Sequence, residues 1–314
     1  MLLILTSNTD LTADFLITEL IKRQLPYFRL NAEDLTRANL TFSIDGDGAR
    51  RTLSVGPKTL DLTKVRAVWY RRAIQPSPIA ALPPGERIFV AGELRHFAMG
   101  LVLNPEALWV NPIDKVSVAE HKLYQLQVAR ELGFQVPRTL VSDDLGKLQS
   151  FAAANKYGTI CKPIFHGLFV DGASRYSVYT RRVVSESLDA ASVAICPVLL
   201  QEEIRRSADV RVTFIGEKCF VADIKGEASL VDWRDPDIVV EYSASKVGED
   251  IQNTCRAMLK KLGLLYGAFD FVRTPDDNIV FLEINPTGEW AWLEDRLGFP
   301  MREAFIQLFF GRRE

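Results

Sequence analysis

The stretch from Gly267 to Gly288 constrains this chain more than any other. Two strand-like apolar runs, one around Phe269 and Phe271 and one from Ile279 to Ile284, flank the turn signal Pro275-Asp276-Asp277-Asn278. With Asp276-Asp277 at the tip, Pro275 faces Asn278, and the same register sets Asp270 opposite Glu283. Glu283 and Asn285 share a face because strand side chains alternate with a period of two. Three oxygen-bearing side chains therefore converge in an otherwise apolar hairpin. Adjacent carboxylates repel, and burying them is costly unless a cation compensates. A hard cation such as magnesium takes such oxygen ligands and keeps positions for water and phosphate. The alternative is that Asp270 and Glu283 lie on the open, solvated face of an ordinary hairpin.

The rest of the chain must supply the core around that hairpin. At 314 residues it exceeds what one hydrophobic core holds, so two or three domains are expected. Apolar residues at 47% and charged residues at 25% exclude disordered, collagenous and coiled-coil classes. A net charge of -2 leaves no global field for nucleic acid. Cys161, Cys196, Cys219 and Cys255 form no Cys-x-x-Cys pair and read as reduced thiols of a cytoplasmic protein. The apolar run after Met1 is too short for a membrane span, lacks the basic start of a signal peptide, and reads as a first core strand.

Short strands alternate with helix up to about residue 112: strands at Leu2 to Thr6, Tyr27 to Asn31 and Ala67 to Arg71, and helices at Ala13 to Arg23 and Glu86 to Leu103. Asp45-Gly46-Asp47-Gly48 signals a hairpin turn, and Pro76, Pro78, Pro83 and Pro84 an irregular loop. Asn111-Pro112 marks a boundary. Beyond it the pattern predicts one long helix from Val116 to Leu132, strand, loop and strand from Gly158 to Val184, an apolar strand from Val198 to Ile204, paired strands over 209–224 and a helix from Lys246 to Leu262.

Asp270-Phe271 followed by Phe281-Leu282-Glu283-Ile284-Asn285-Pro286 resembles the magnesium-binding end of ATP-grasp ligases. The continuation Thr287-Gly288-Glu289-Trp290-Ala291-Trp292-Leu293-Glu294 resembles more narrowly the graspetide synthetases, microviridin-type macrocyclases that typically carry Asn-Pro-x-Gly-Gln-Trp-x-Trp-Leu-Glu there. Val68-Trp69-Tyr70-Arg71-Arg72 and Val231-Asp232-Trp233-Arg234 are similar as well, and the resemblance spans essentially the whole chain. It implies an α/β (α+β) ATP-grasp fold with a pre-ATP-grasp domain over 1–112, a central domain over 113–197 and a C-terminal domain over 198–314. ATP and magnesium are the implied cofactors.

The resemblance also assigns residues. Asp270, Glu283 and Asn285 would hold magnesium, and Lys122 and Lys162 would be the nucleotide lysines. Lys162 precedes the loop His166 to Gly172, whose glycines would let backbone N–H groups approach phosphate. Taken singly, each lysine also reads as a solvated surface residue. Gln201-Glu202-Glu203-Ile204 resembles the hinge that reads adenine and ribose, and otherwise reads as a strand running into a charged turn. Asp209 and Arg211 share a strand face. The resemblance gives Arg211 to the phosphates or to the carboxyl being activated, whereas the residues alone allow an intrastrand ion pair. Arg71 and Arg72 end a strand of the first domain, either as a solvated pair or facing the cleft where such sheets bind ligands, here a peptide. Arg175, Arg181 and Arg182 would form a basic docking surface or a solvated face. His96, His121 and His166 have no partners at catalytic spacing.

The implied activity is ATP-dependent activation of Asp or Glu side chains in a ribosomally made precursor peptide, which are then joined to Thr or Ser hydroxyls or Lys amines as macrocyclic esters or amides. The implied partner is that peptide, leader and core, with no nucleic acid or membrane and with a homodimer left open. Two alternatives stand beside it: a glutamate ligase like those that extend the C-terminus of ribosomal proteins, and a catalytically silent peptide-binding protein on the same scaffold.

Overall fold

The computed structural model describes residues 1–46, 48–72, 76, 81–165, 167–171, 174–226, 231–234 and 238–311. Asp47 of the expected turn, Pro78 of the expected loop, and His166 and Gly172 of the expected phosphate loop lie outside them, as does the Arg175 side chain. The chain divides into two compact units, one of residues 1–113, 289–295 and 299–314, the other of 114–288 and 296–298.

The first unit is built on a parallel sheet whose strand order is Tyr27–Asn31, Leu2–Thr6, Ala67–Tyr70, Leu108–Val110. Leu2–Thr6 is wholly buried, as expected of a central parallel strand covered on both faces. Strand alternation sorts its side chains. Leu3, Leu5 and Val68 enter a core with Phe28, Leu30, Leu53 and Leu101. Trp69 packs instead within an aromatic cluster, its ring centroid 5.3 Å from Phe305 and 6.5 Å from Trp290, and Trp290 lies 4.9 Å from Phe305. The tryptophan motif after Gly288 thus supplies a core residue of the N-terminal unit. The helix Leu11–Lys22 starts at Asp10, whose side chain accepts from Ala13 N–H. The second expected helix runs Pro84–Val102, with proline in its first turn where no N–H is needed.

The second unit holds two antiparallel sheets. One has the order Arg181–Val183, Thr159–Lys162, Val198–Glu202, Thr139–Ser142; the other runs Glu241–Ala244, Lys218–Lys225, Ala208–Ile215, Tyr266–Arg273, Ile279–Asn285. Phe214, Phe269, Phe271, Phe281 and Ile284 of the five-stranded sheet pack against Met258, Leu259 and Leu262 of the helix Glu249–Leu262. That helix begins three residues later than the sequence suggests, at a Gly248 cap with extended backbone, and ends at Gly263 in the left-handed conformation.

The single helix expected over 116–132 is two helices, Ile113–Ala119 and Lys122–Glu131. Buried Gln125 fixes the break. Its amide donates to the Ala119 carbonyl (2.5 Å) and the Ile284 carbonyl (2.9 Å) and accepts from Ile284 N–H (3.0 Å). The second helix is thereby tied to the strand that bears Glu283, and Lys122 becomes its first residue.

Candidate active site

The expected register holds at the site and fails at the turn. Thr274 N–H donates to Asn278 O (2.9 Å), Asp277 N–H donates to Thr274 O (3.0 Å), and Arg273 pairs with Ile279, one residue off the expected alignment. Asp277 takes φ 61°, a left-handed conformation that aspartate tolerates. A bulge between the pairs Phe271–Phe281 and Asp270–Glu283 then leaves Leu282 without an opposite residue and brings Asp270 across from Glu283.

Asn285 Nδ2 lies between the two carboxylates, 3.1 Å from Asp270 Oδ2 and 3.5 Å from Glu283 Oε1. A neutral donor thus stands where like-charge repulsion calls for a cation. Two carboxylates and a carboxamide fit magnesium, which takes few protein oxygens and completes its octahedron with water and phosphate. Among the described residues there is no cluster of three His, Cys, Asp or Glu side chains able to hold a metal.

Cations surround this pair. Lys122 Nζ donates to the Pro163 carbonyl at 2.9 Å and lies 3.5 Å from Glu283 Oε2. Arg234 Nη1 is 4.0 Å from Glu283 Oε1. Burial works against ionisation of Glu283, but Lys122, Lys162 and Arg234 together outweigh it and hold its carboxyl below the usual range. Asp270 moves the other way: burial raises it, and Arg211 only partly offsets that. Burial also brings the Lys162 ammonium down to about 8, against the pull of Glu283.

Arg211, on the strand beside Asp270, is nearly fully buried. Its Nε is 3.1 Å from Asp270 Oδ1, yet Nε and Nη1 make no hydrogen bond. Its guanidinium carbon stands 5.7 Å from the centre of the Trp233 ring. Asp209 pairs with Arg206 at 2.9 and 3.2 Å, so the intrastrand pair is not the geometry found. A cavity of about 470 Å³ is lined by Lys122, Lys162, Asp209, Asp270, Glu283 and Asn285 among others. Its lining sets four cations (Lys122, Lys162, Arg206, Arg234) against four carboxylates (Asp209, Asp232, Asp270, Glu283), with Arg211 buried beside Asp270.

A smaller pocket, also lined by Lys162, contains Gln201, Glu202 and Ile204. Gln201 donates to Thr139 Oγ1 at 2.8 Å and leaves Oε1 buried without a partner. Glu202 accepts from Arg138 N–H, and Glu203 turns to Arg182 at 2.6 and 2.8 Å. In the first unit, Arg71 is buried against Asp10 and Glu289, while Arg72 is half exposed.

Residues 1–117 match the family model of the MvdD pre-ATP grasp domain. No curated protein matches the chain in sequence. The macrocyclase MdnC, solved with its precursor peptide MdnA from Microcystis aeruginosa MRC, is 28% identical over 98% of this chain and 99% of its own, with TM-score 0.86. A Chryseobacterium gregarium RiPP-associated ATP-grasp ligase, solved with ADP and a leader and core peptide, is 22% identical over 100% and 97%, with TM-score 0.88. The ATP-grasp ligase PsnB, complexed with a minimal precursor, Mg and ADP, is 22% identical over 97% of both chains, with TM-score 0.73.

The fold is that of the ATP-grasp ligases. Within it, the stretch Val231 to Arg234, to which the sequence alone assigns no place in the site, lines the cavity. Asp232 accepts from Arg234 at two positions 2.8 Å long and from Thr180 N–H at 3.1 Å, so it joins two walls of the cavity. Its only signal in the sequence was two opposite charges around a tryptophan. The partner at Thr180 lies 52 residues away and could not be read. Among the described residues no helix is long and apolar enough to cross a membrane.

Proposed function

We propose that this chain is an ADP-forming ATP-grasp ligase that closes macrocycles in a ribosomally made precursor peptide. A side-chain carboxylate of the peptide attacks the γ-phosphorus of ATP, ADP leaves, and an acyl phosphate forms. A Thr or Ser hydroxyl or a Lys amine then attacks the acyl carbon, loses its proton, and releases phosphate. The observation that carries this reading is the convergence of Lys122, Lys162, Asp270, Glu283 and Asn285 on one cavity beside an arginine whose buried donors have no hydrogen-bond partner.

Asp270, Glu283 and Asn285 would hold magnesium, which when bound screens the phosphate charge. Lys122 and Lys162 steady the phosphates, and the Gln201–Ile204 segment with Asp209 receives the nucleoside side. Arg211 orients the carboxylate and meets the charge that develops on it; its donors are already in place, so little reorganisation accompanies the reaction. Arg72, half exposed, contacts the peptide, with Arg71 beneath it. With this go a division into pre-ATP-grasp, central and C-terminal domains at 112/113 and 197/198, a cytoplasmic location, and action as a monomer or homodimer.

Incubation with a precursor, ATP and magnesium is expected to lower the peptide mass by one water per bond. A gain of glutamate mass would support the C-terminal ligase instead. ATP consumption without any change in the peptide would overturn both, and magnesium-dependent ATP binding without consumption would point to the silent binder.

A further inference from the structure

The first unit carries its own charged cluster, at the carboxyl edge of its parallel sheet where α/β folds bind ligands. Arg71 follows the strand Ala67–Tyr70 and is 1% exposed. Its Nε and Nη2 each donate to Asp10 at 3.2 Å, and Nη2 also reaches both Glu289 carboxylate oxygens, at 3.0 and 2.9 Å. Arg72 Nη2 and Thr12 Oγ1 donate to the same Glu289 carboxylate. Thr12 sits in the first turn of the helix Leu11–Lys22, the end that favours an anion.

The two carboxylates are not equivalent. Asp10 is fully buried and also accepts from Thr6 Oγ1 at 2.6 Å and Ala13 N–H at 3.1 Å, so it is part of the fold. The Glu289 side chain is 43% exposed, and its hydrogen bonds run to this cradle of Arg71, Arg72 and Thr12. Asp10 balances one guanidinium. When Glu289 swings out, the Arg71, Arg72 and Thr12 donors aimed at it are left for another carboxylate.

We propose that Arg71, Arg72 and Thr12 form a subsite for an acidic side chain of the peptide, and that Glu289 is its resident occupant, which the incoming carboxylate displaces. The assignment of the ligand to the peptide rests on the ligase reading above; the subsite itself does not. Exchange of one carboxylate for another makes binding weaker than an empty cradle would give. Glu289 therefore sets how strongly acidic segments are held and keeps the arginine pair from capturing unrelated anions.

The test uses the full chain and N-acetyl-glutamate α-amide, which carries one side-chain carboxylate, with N-acetyl-glutamine α-amide as the neutral control. Binding is followed by calorimetry or NMR without ATP. Glu289→Gln is expected to bind the acid about tenfold more tightly than wild type, with no gain for the control, because a charge-assisted pair is freed. Adding Arg72→Ala to Glu289→Gln is expected to remove that gain, and half-exposed Arg72 can be lost without unfolding the unit, which a melting curve verifies. Equal affinities for wild type and Glu289→Gln, or a gain that survives Arg72→Ala, would overturn the subsite. Conversion of a precursor by wild type with ATP is read separately, so a failed ligase reading and a failed subsite give different results.

Discussion

Both units contain a buried arginine facing carboxylates at a strand, and the two clusters differ in how completely they are hydrogen-bonded. Around Arg71, the carboxylate of Asp10 receives donors from Thr6, Ala13 and Arg71 itself. Around Arg211, Nε and Nη1 have no hydrogen-bond partner, although Asp270 is 3.1 Å away. A buried donor without an acceptor is destabilising by about 1–3 kcal/mol, and a fold keeps such a defect where a ligand completes the site. The Arg71–Asp10 pair is organised for stability; Arg211 is organised for something that arrives. The titrating groups separate in the same way. Asp10 lies below its ordinary range because Arg71, Thr6 and Ala13 N–H outweigh its burial, whereas Asp270 is raised because burial outweighs Arg211.

Paired methionine substitutions break the comparison most strongly. Arg71→Met keeps an apolar stem but removes the guanidinium hydrogen-bonded to buried Asp10, leaving Arg72 Nε 3.9 Å away, and is expected to lower unfolding free energy by about 3–5 kcal/mol. Arg211→Met removes Nε and Nη1 donors that make no hydrogen bond, and Asp270, its carboxyl already raised to about 6 by burial, can take up a proton when its cation is lost, so stability is expected to change by no more than about 1 kcal/mol while turnover falls roughly 10²–10³-fold. Urea titration and single-turnover kinetics on both proteins read the two effects separately. Matching stability losses would erase the distinction.

A smaller effect concerns pH. Because the carboxyl of folded Asp10 lies below its unfolded value, its contribution to stability is complete above the unfolded pKa and is lost as pH falls through the folded one. Unfolding titrations from pH 6 down to pH 2 are expected to show an acid loss that Asp10→Asn flattens, the variant being already weakened at pH 6. An identical acid slope in the two proteins would contradict the role given to Asp10.

The smallest effect sharpens the rule itself. Trp290 is fully buried with its indole N–H unpartnered, so the hydrogen-bond criterion alone would place it among functional groups. Its setting is an aromatic core, with Phe15 at 6.0 Å and Phe305 at 4.9 Å. Trp290→Phe gives up ring volume but removes the orphan donor, so the net change in unfolding free energy is expected to stay within about 1 kcal/mol. A larger loss, measured by urea titration, would mean that the indole N–H has a partner in solution.

Local pattern carried much of this. The buried strand Leu2–Thr6 and the opposition of Asp270 and Glu283 follow from apolar runs, turn residues and the period of two. The second of these was reached through a turn that is one residue longer than expected and a bulge at Leu282 that cancels the error, because a bulge leaves no mark in an apolar run. The break before Lys122 was illegible for a related reason. It depends on Gln125 bonding to Ile284, 159 residues away, and nothing in the helical periodicity reports that contact. The same holds for Glu289, whose partners Arg71 and Arg72 lie more than two hundred residues upstream. The charges could be seen in the sequence, but which carboxylate met which guanidinium was decided by the fold.

The central claim is that the cluster of Lys122, Lys162, Asp270, Glu283 and Asn285 receives a magnesium nucleotide. It is tested most directly by calorimetric binding of ADP with and without magnesium to wild type and to Glu283→Gln. Magnesium is expected to tighten ADP binding to wild type by about tenfold or more, since Asp270, Glu283 and Asn285 would hold the cation and it would screen the phosphate charge, and the Glu283→Gln protein, with an unchanged melting curve, is expected to lose that gain. ADP binding that ignores magnesium in wild type, or a magnesium gain that persists in Glu283→Gln, would contradict it.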